Sequence, residues 1–236
     1  FYLTVVWNGQ WFKWENRNTN FLYGQPDGGP THDAPQNGYL NRSRVSLDYI
    51  PRDNNHPYRP AIIFRMAEAY LSYAEALNES SERMSHKQEI LDNLNKIRHR
   101  AGIAEYGTGT DENGFTRIKI NFSDQKEVRR LIHKERRVEF VGEGVRYHDL
   151  RRWKTAHYGI GNLNEQGENP DWGVNGPDYG MNYYGTEYTD QGDNAFFKRT
   201  KYMDRVYPRK FYWYPIHQSE IDKDPTLVQG PFWLGE

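Results

Sequence analysis

The chain has 236 residues, a formal net charge of −1 and no cysteine. That length suits one domain or one large lobe. The near-neutral balance argues against bulk nucleic-acid binding, and the missing thiols exclude disulfides, a cysteine nucleophile and thiolate metal sites. No stretch approaches the ~18 consecutive apolar residues of a membrane helix. Hydrophobic residues make up 36% of the chain, yet aromatics reach 15%, with 18 Tyr and 7 Trp. A disordered chain is poor in aromatics, so the polarity belongs to long ordered loops. Tyr and Trp carry an apolar face and a polar handle, which suits exposed binding surfaces.

The chain opens without Met, in what reads as mid-strand, and is expected to be a fragment. Phe1 to Trp14 predicts a strand or hairpin around Asn8-Gly9. Residues 16–60 are punctuated by glycine and proline and predict loop, with short extended pieces at Arg44 to Ile50. Ile63, Ala67, Tyr70, Leu71, Ala74 and Leu77 recur at helical spacing and predict a helix over 61–78. A second helix is predicted over 86–101, with Ser85 and Gln88 as a capping box and Gly102 just past its end. The short link makes the two antiparallel neighbours, a hairpin of tetratricopeptide-like length. A third helix is predicted over 124–141 with Ser123 as N-cap, and a short one over 145–155. Residues 159–194 form a long loop rich in Gly, Asn, Asp and Tyr, of a length that is usually functional or disordered. The C-terminal part reads as β-like and turn segments.

Three constellations carry chemistry. Glu68 and Glu75 share a helix face, and in an antiparallel hairpin Glu68 can meet Arg98 or Arg100. Glu135, Arg136, Glu139, Glu143, Arg146, Asp149 and Arg152 form a second set. Its paired carboxylates resemble the equipment of a glycosidase, but each has an arginine near it in sequence, which lowers carboxylate pKa values and disfavours a general acid. Both sets therefore read as structural ion pairing. The third is aromatic: Trp7, Trp11 and Trp14 near the start, and Trp172, Tyr179, Tyr183 and Tyr184 in the long loop, beside Asn162, Asn164, Asn169, Asp171, Asn175, Asp178 and Asn182. Flat rings stack on sugars while amides bond the hydroxyls, and the same mixture suits a peptide. No metal-ligand pattern stands out. Asp111-Glu112-Asn113-Gly114 lacks the alternation of a calcium loop and reads as a turn.

Arg65 to Ala76, Leu94 to Gly102, and the series Glu135-Arg136, Glu139, Glu143-Gly144, Arg146, Asp149-Leu150, Arg152-Trp153 resemble, in order, motifs of the SusD/RagB family. Tyr214-Pro215-Ile216-His217, Glu220-Ile221 and Gln229 resemble its usual ending, with His217 where a proline is usual. The resemblance implies a mainly α fold: a tetratricopeptide-like hairpin and further helices, long irregular loops and a few short strands. It divides the chain into a ligand-facing loop region at 1–60, a helical core at 61–156 and an aromatic loop with the closing segment at 157–236, all parts of one C-terminal domain lacking its N-terminal half. It further implies a lipid-anchored protein at the outer surface of a Bacteroidetes cell. Such a protein binds an oligosaccharide or peptide without catalysis and serves a SusC-like TonB-dependent transporter. No cofactor is expected. The family's motifs are scaffold and carry no ligand residue across, so the candidate ligand residues are the seven aromatics Trp7, Trp11, Trp14, Trp172, Tyr179, Tyr183 and Tyr184. The rival readings are a glycoside hydrolase and a protein-binding helical scaffold.

Overall fold

The computed structural model describes residues 4–13, 15–43, 45, 57–58, 61–159 and 173–234. The chain divides into two compact units, Ser46–Arg146 and a second made of Phe1–Val45 with Tyr147–Glu236. The first and last thirds of the sequence thus fold together.

Among the described residues the central unit holds the helices α1 (Met66–Glu79), α2 (Lys87–Ala101) and α3 (Gln125–Glu139). Ala67, Leu71 and Ala74 fall at i, i+4 and i+7 and form the buried stripe of α1. It meets Ile90, Leu94 and Ile97 of α2 and Val128 and Ile132 of α3. Leu71, Ile90, Leu94, Val128 and Ile132 are fully buried, and each such side chain contributes roughly 1.5–3 kcal/mol. The end of α1 is tied to the start of α3, where Gln125 Nε2 donates to the Asn78 carbonyl at 2.7 Å. α1 therefore runs antiparallel to α3.

The helix ends depart from the sequence expectation. α1 starts at Met66, and Ile63 is 96% exposed outside it. Arg65 is extended at φ −141°, and its guanidinium is held by Glu139 and Glu143, so the backbone enters the helix only after it. The capping box of α2 does not form. Ser85 Oγ donates to the Glu82 carbonyl, while His86 takes the N-cap position and bonds Glu89 at 2.8 Å. Gly102 does close α2, in the left-handed region at φ 66° that favours glycine. The cap of α3 is Asp124, whose carboxylate accepts from the N–H groups of Lys126 at 2.9 Å and Glu127 at 3.2 Å. Ser123 instead donates its N–H to Asn121.

The charged residues at one end of these helices also rearrange the expected pairing. Arg98 and Arg100 turn to Glu135 and Glu139 of α3 rather than to Glu68. Glu139 is shared with Arg65, and Glu75 faces His133 and Arg136 at 3.9 Å each. α2 and α3 end side by side, so arginines in the last turn of α2 reach the carboxylates of α3 directly.

In the other unit, Asn8-Gly9 does turn the chain, with Gly9 at φ 87°, but no hairpin closes around it. β1 (Val5–Trp7) pairs antiparallel with β4 (Tyr39–Asn41), and β2 (Trp11–Phe12) pairs with β3 (Arg17–Asn18). The Asn8 side chain is spent on the N–H of Phe21 at 2.7 Å, which draws the chain away from a tight two-strand return. The short helix α4 (Val145–Arg152) ends with Leu150 packed on Ala156, Tyr207 and Tyr212. β5 (Gly176–Gly180) and β6 (Thr200–Arg205) form an antiparallel ribbon. Two closing segments expected to be extended are helical: a 3₁₀ turn at Arg209–Tyr212, and α5 (Gln218–Lys223). His217 caps α5 through its ring, accepting from Ser219 N–H at 3.2 Å, and Gln229 clamps Ile216 by bonding its N–H and its carbonyl at 2.8 Å each. The fold is mainly α with short strands and long irregular segments, as the sequence predicts.

Candidate ligand-binding site

Trp7 and Tyr39 are direct cross-strand partners in the β1–β4 pair, and residues so opposed project from the same face. Beside them lies a cavity of about 210 Å³ bounded by Asn8, Gly38, Met181, Phe196 and Phe197. Its floor rests on a small core of Phe21, Leu22 and Phe196, and Tyr39 and Phe197 remain 39% and 43% exposed at its rim. The volume lies below the roughly 300–1,000 Å³ of pockets that enclose a drug-sized ligand and is of the size of a single ring.

Two glycines let distant segments close on this spot. Gly38 sits at φ 83°, and a Cβ there would lie 2.3 Å from Met181 Cγ. A Cβ on Gly29 would strike the ring of Tyr183 at 2.5 Å. Backbone bonds complete the seam, from Met181 N–H to the Asn37 carbonyl at 3.1 Å and from Tyr23 N–H to the Gly185 carbonyl at 2.8 Å. The loop that carries Gly29 is braced by Arg17, which bonds Asp27 bidentately at 2.6 and 2.8 Å and holds that carboxyl below its usual range.

Of the aromatics expected from sequence, Trp7 lines the cavity. Tyr183 and Tyr184 meet each other edge-on at 5.1 Å, and both meet Tyr23, at 6.0 and 5.5 Å. Tyr184 keeps 70% of its surface exposed. Tyr179 has one face taken by the Arg199 guanidinium, 4.0 Å from its centroid. Trp11 is 57% exposed on β2. Trp14 and Trp172 lie outside the described residues, as do Asn162, Asn164, Asn169 and Asp171.

The amides behave differently from expectation. Asn182 is 8% exposed and bonds the carbonyls of Asp193 and Ala195 while accepting from Tyr184 N–H. Asn175 likewise joins His157 to Tyr207. Buried loop backbone must find hydrogen-bond partners, and these side chains supply them, so they shape the loop from within. Tyr23, Tyr39 and Phe197 escaped sequence reasoning. Their local signal is only the glycine beside Tyr23 and Tyr39, which marks loops and not which rings meet.

A larger cavity of about 760 Å³ lies in the central unit, between α2 and residues 105–122. Much of its polar lining is already engaged. Glu105 takes His99 at 3.2 Å and Arg117 at 2.8 Å, Gln88 bonds Asp92, and Asn95 bonds both backbone groups of Tyr106. Asp111 nearby makes a turn: burial pushes its carboxyl up, and the N–H groups of Glu105, Phe115 and Asn113 outweigh that, leaving it below its usual range. Among the described residues no cluster of His, Asp and Glu is placed to hold a metal. Ring stacking requires exposed faces, so the aromatic cavity is the better candidate.

The sequence profile of the SusD family matches residues 1–233. The chain belongs to the SusD family. Among curated relatives it is 32% identical over 109 residues to SusD-like protein P25 of Formosa agariphila, covering 46% of this chain and 18% of that one. It is also 32% identical over 103 residues to SusD-like protein P38 of the same organism, covering 44% of this chain and 19% of that one. A crystal structure of a SusD-like protein from Bacteroides fragilis matches 98% of this chain and 38% of its own, with 24% identity and a TM-score of 0.63. The structure described as selenomethionine BT4246 matches 99% and 37%, with 23% identity and a TM-score of 0.66. This SusD-family chain therefore spans well under half the length of the solved chains it matches, and those likenesses concern the fold.

Proposed function

We propose that this protein captures an oligosaccharide nutrient at the cell surface, without chemistry, and passes it to a SusC-like TonB-dependent transporter in the outer membrane. The observation that carries the reading is the Trp7–Tyr39 pair standing over a ring-sized cavity, with the Tyr23–Tyr183–Tyr184 cluster as a second aromatic surface in the same unit. Aromatic faces gain from stacking on the apolar C–H face of a sugar. Membership of the SusD family supports the nutrient, the lipid-anchored surface location and the transporter partner. The non-catalytic reading rests on Glu135 and Glu139, the carboxylates a hydrolase would need, being engaged by Arg98, Arg65 and Arg100. No helix among the described residues is long and apolar enough to cross a membrane.

The test is calorimetric titration of a panel of oligosaccharides and peptides against the protein and against Trp7→Ala and Tyr39→Ala. Binding of a saccharide weakened about tenfold or more by each variant, which is ~1.4 kcal/mol, supports the reading. A panel in which only peptides bind, or in which the saccharide is cleaved, rejects it. Co-purification with the transporter from cells tests delivery.

A further inference from the structure

We infer that the sugar bound at the Trp7–Tyr39 cavity carries a carboxylate or sulfate, and that Arg199 recognises this oxyanion. The inference rests on the saccharide-binding reading above and names its substrate class.

Four cations fall between residues 198 and 205. Three have carboxylate partners: Lys198 with Asp193 at 2.9 Å, Lys201 with Asp204 at 2.6 Å and Arg205 with Asp178 at 3.6 Å. Arg199 is the exception among the described residues, exposed and resting on the ring of Tyr179. The surroundings therefore neutralise its neighbours and leave this one charge. The stack matters for geometry as well as for position. A guanidinium lying over a ring loses access on one face, but its N–H donors point outward in its own plane. In-plane donors are the ones that grip an oxyanion bidentately.

Both members of the stack also lie two residues along the chain from a wall of the cavity. Tyr179 precedes the wall residue Met181 by two positions, and Arg199 follows the wall residue Phe197 by two. Gly180, which follows Tyr179, and Thr200, which follows Arg199, are paired across the ribbon. A sugar that extends from Trp7 and Tyr39 along the Phe197 wall would thus approach a cation that has no carboxylate partner among the described residues.

The experiment uses three sets of oligosaccharides of equal length, neutral, uronate-containing and sulfated, titrated at low and at raised salt. The expected result is that one acidic set binds about tenfold or more tightly than the neutral set, that salt weakens this advantage, and that Arg199→Gln abolishes it with no change in melting temperature. The uronate and sulfated arms tell the two oxyanions apart. Equal affinity for acidic and neutral sets, or a loss in Arg199→Gln that is the same for both, overturns the inference and leaves saccharide binding standing. If no set binds, or if Trp7→Ala and Tyr39→Ala leave every set unaffected, the underlying reading falls instead.

Discussion

Arg98, in the last turn of α2, and Glu135, on α3, form an ion pair whose side chains are only 11% and 7% exposed. Tyr106 completes it. Its ring lies under the Arg98 guanidinium at 4.3 Å, and its hydroxyl donates to Glu135 Oε1 at 2.8 Å. Arg98 also donates to the Ala104 carbonyl. The arrangement joins two helices and the chain after α2 through charges that have little water to fall back on.

Removing one partner leaves the other charge buried and alone. Arg98→Ala or Glu135→Ala is expected to cost about 3–5 kcal/mol, read from denaturant unfolding. The double change Arg98→Ala with Glu135→Ala should cost clearly less than the sum of the two single changes, because no charge is stranded. Additive losses would refute a tightly coupled pair.

Tyr106 adds a dependence on alkaline pH. Burial first, then the charge of Glu135 and the hydrogen bond to it, hold the phenol well above its usual value of 10.0. The unfolded chain loses this proton near pH 10 while the folded chain keeps it. The contribution to stability is therefore complete below about pH 10 and declines as pH rises toward the folded value. Unfolding curves taken across this range should show the decline in the native protein and a shallower one in Tyr106→Phe. Identical slopes would count against it.

The start of α3 separates two adjacent candidates for its cap. Asp124→Ala should destabilise by about 1 kcal/mol, whereas Ser123→Ala should change stability by little, since the Asp124 carboxylate holds both N–H groups of the first turn. A larger loss at Ser123 in thermal melts would reverse the assignment.

Gly38 couples stability to binding. Alanine there must adopt φ 83° and displace Met181, so Gly38→Ala is expected to cost about 1–3 kcal/mol. It should also weaken ligand binding at the cavity that Met181 lines. Unchanged affinity with lowered stability would separate the cavity from the site.

The scaffold is legible in the sequence. Ala67, Leu71 and Ala74, and Ile90, Leu94 and Ile97, repeat at helical spacing, and that period reflects a local geometry each segment carries by itself. Gly102 announced the end of α2 for the same reason, since only the local backbone angle is at stake. Cap positions were less legible. Ser123 and Asp124 are both good capping types, and the choice between them depends on where the following chain turns.

The candidate site was legible only in part. Tyr183 and Tyr184 stood out as loop aromatics, but Tyr23 and Tyr39 did not, because what makes them partners is contact across more than 140 residues of chain. The sequence by itself determined the helices, the family and a high share of aromatics. Only the tertiary structure decided which carboxylate each arginine faces, that the amides of Asn175 and Asn182 serve the loop, and which rings surround a cavity. The physical reason is that periodicity and turn chemistry act between neighbours in sequence, whereas pairing of charges and meeting of rings are set by which segments close packing brings together.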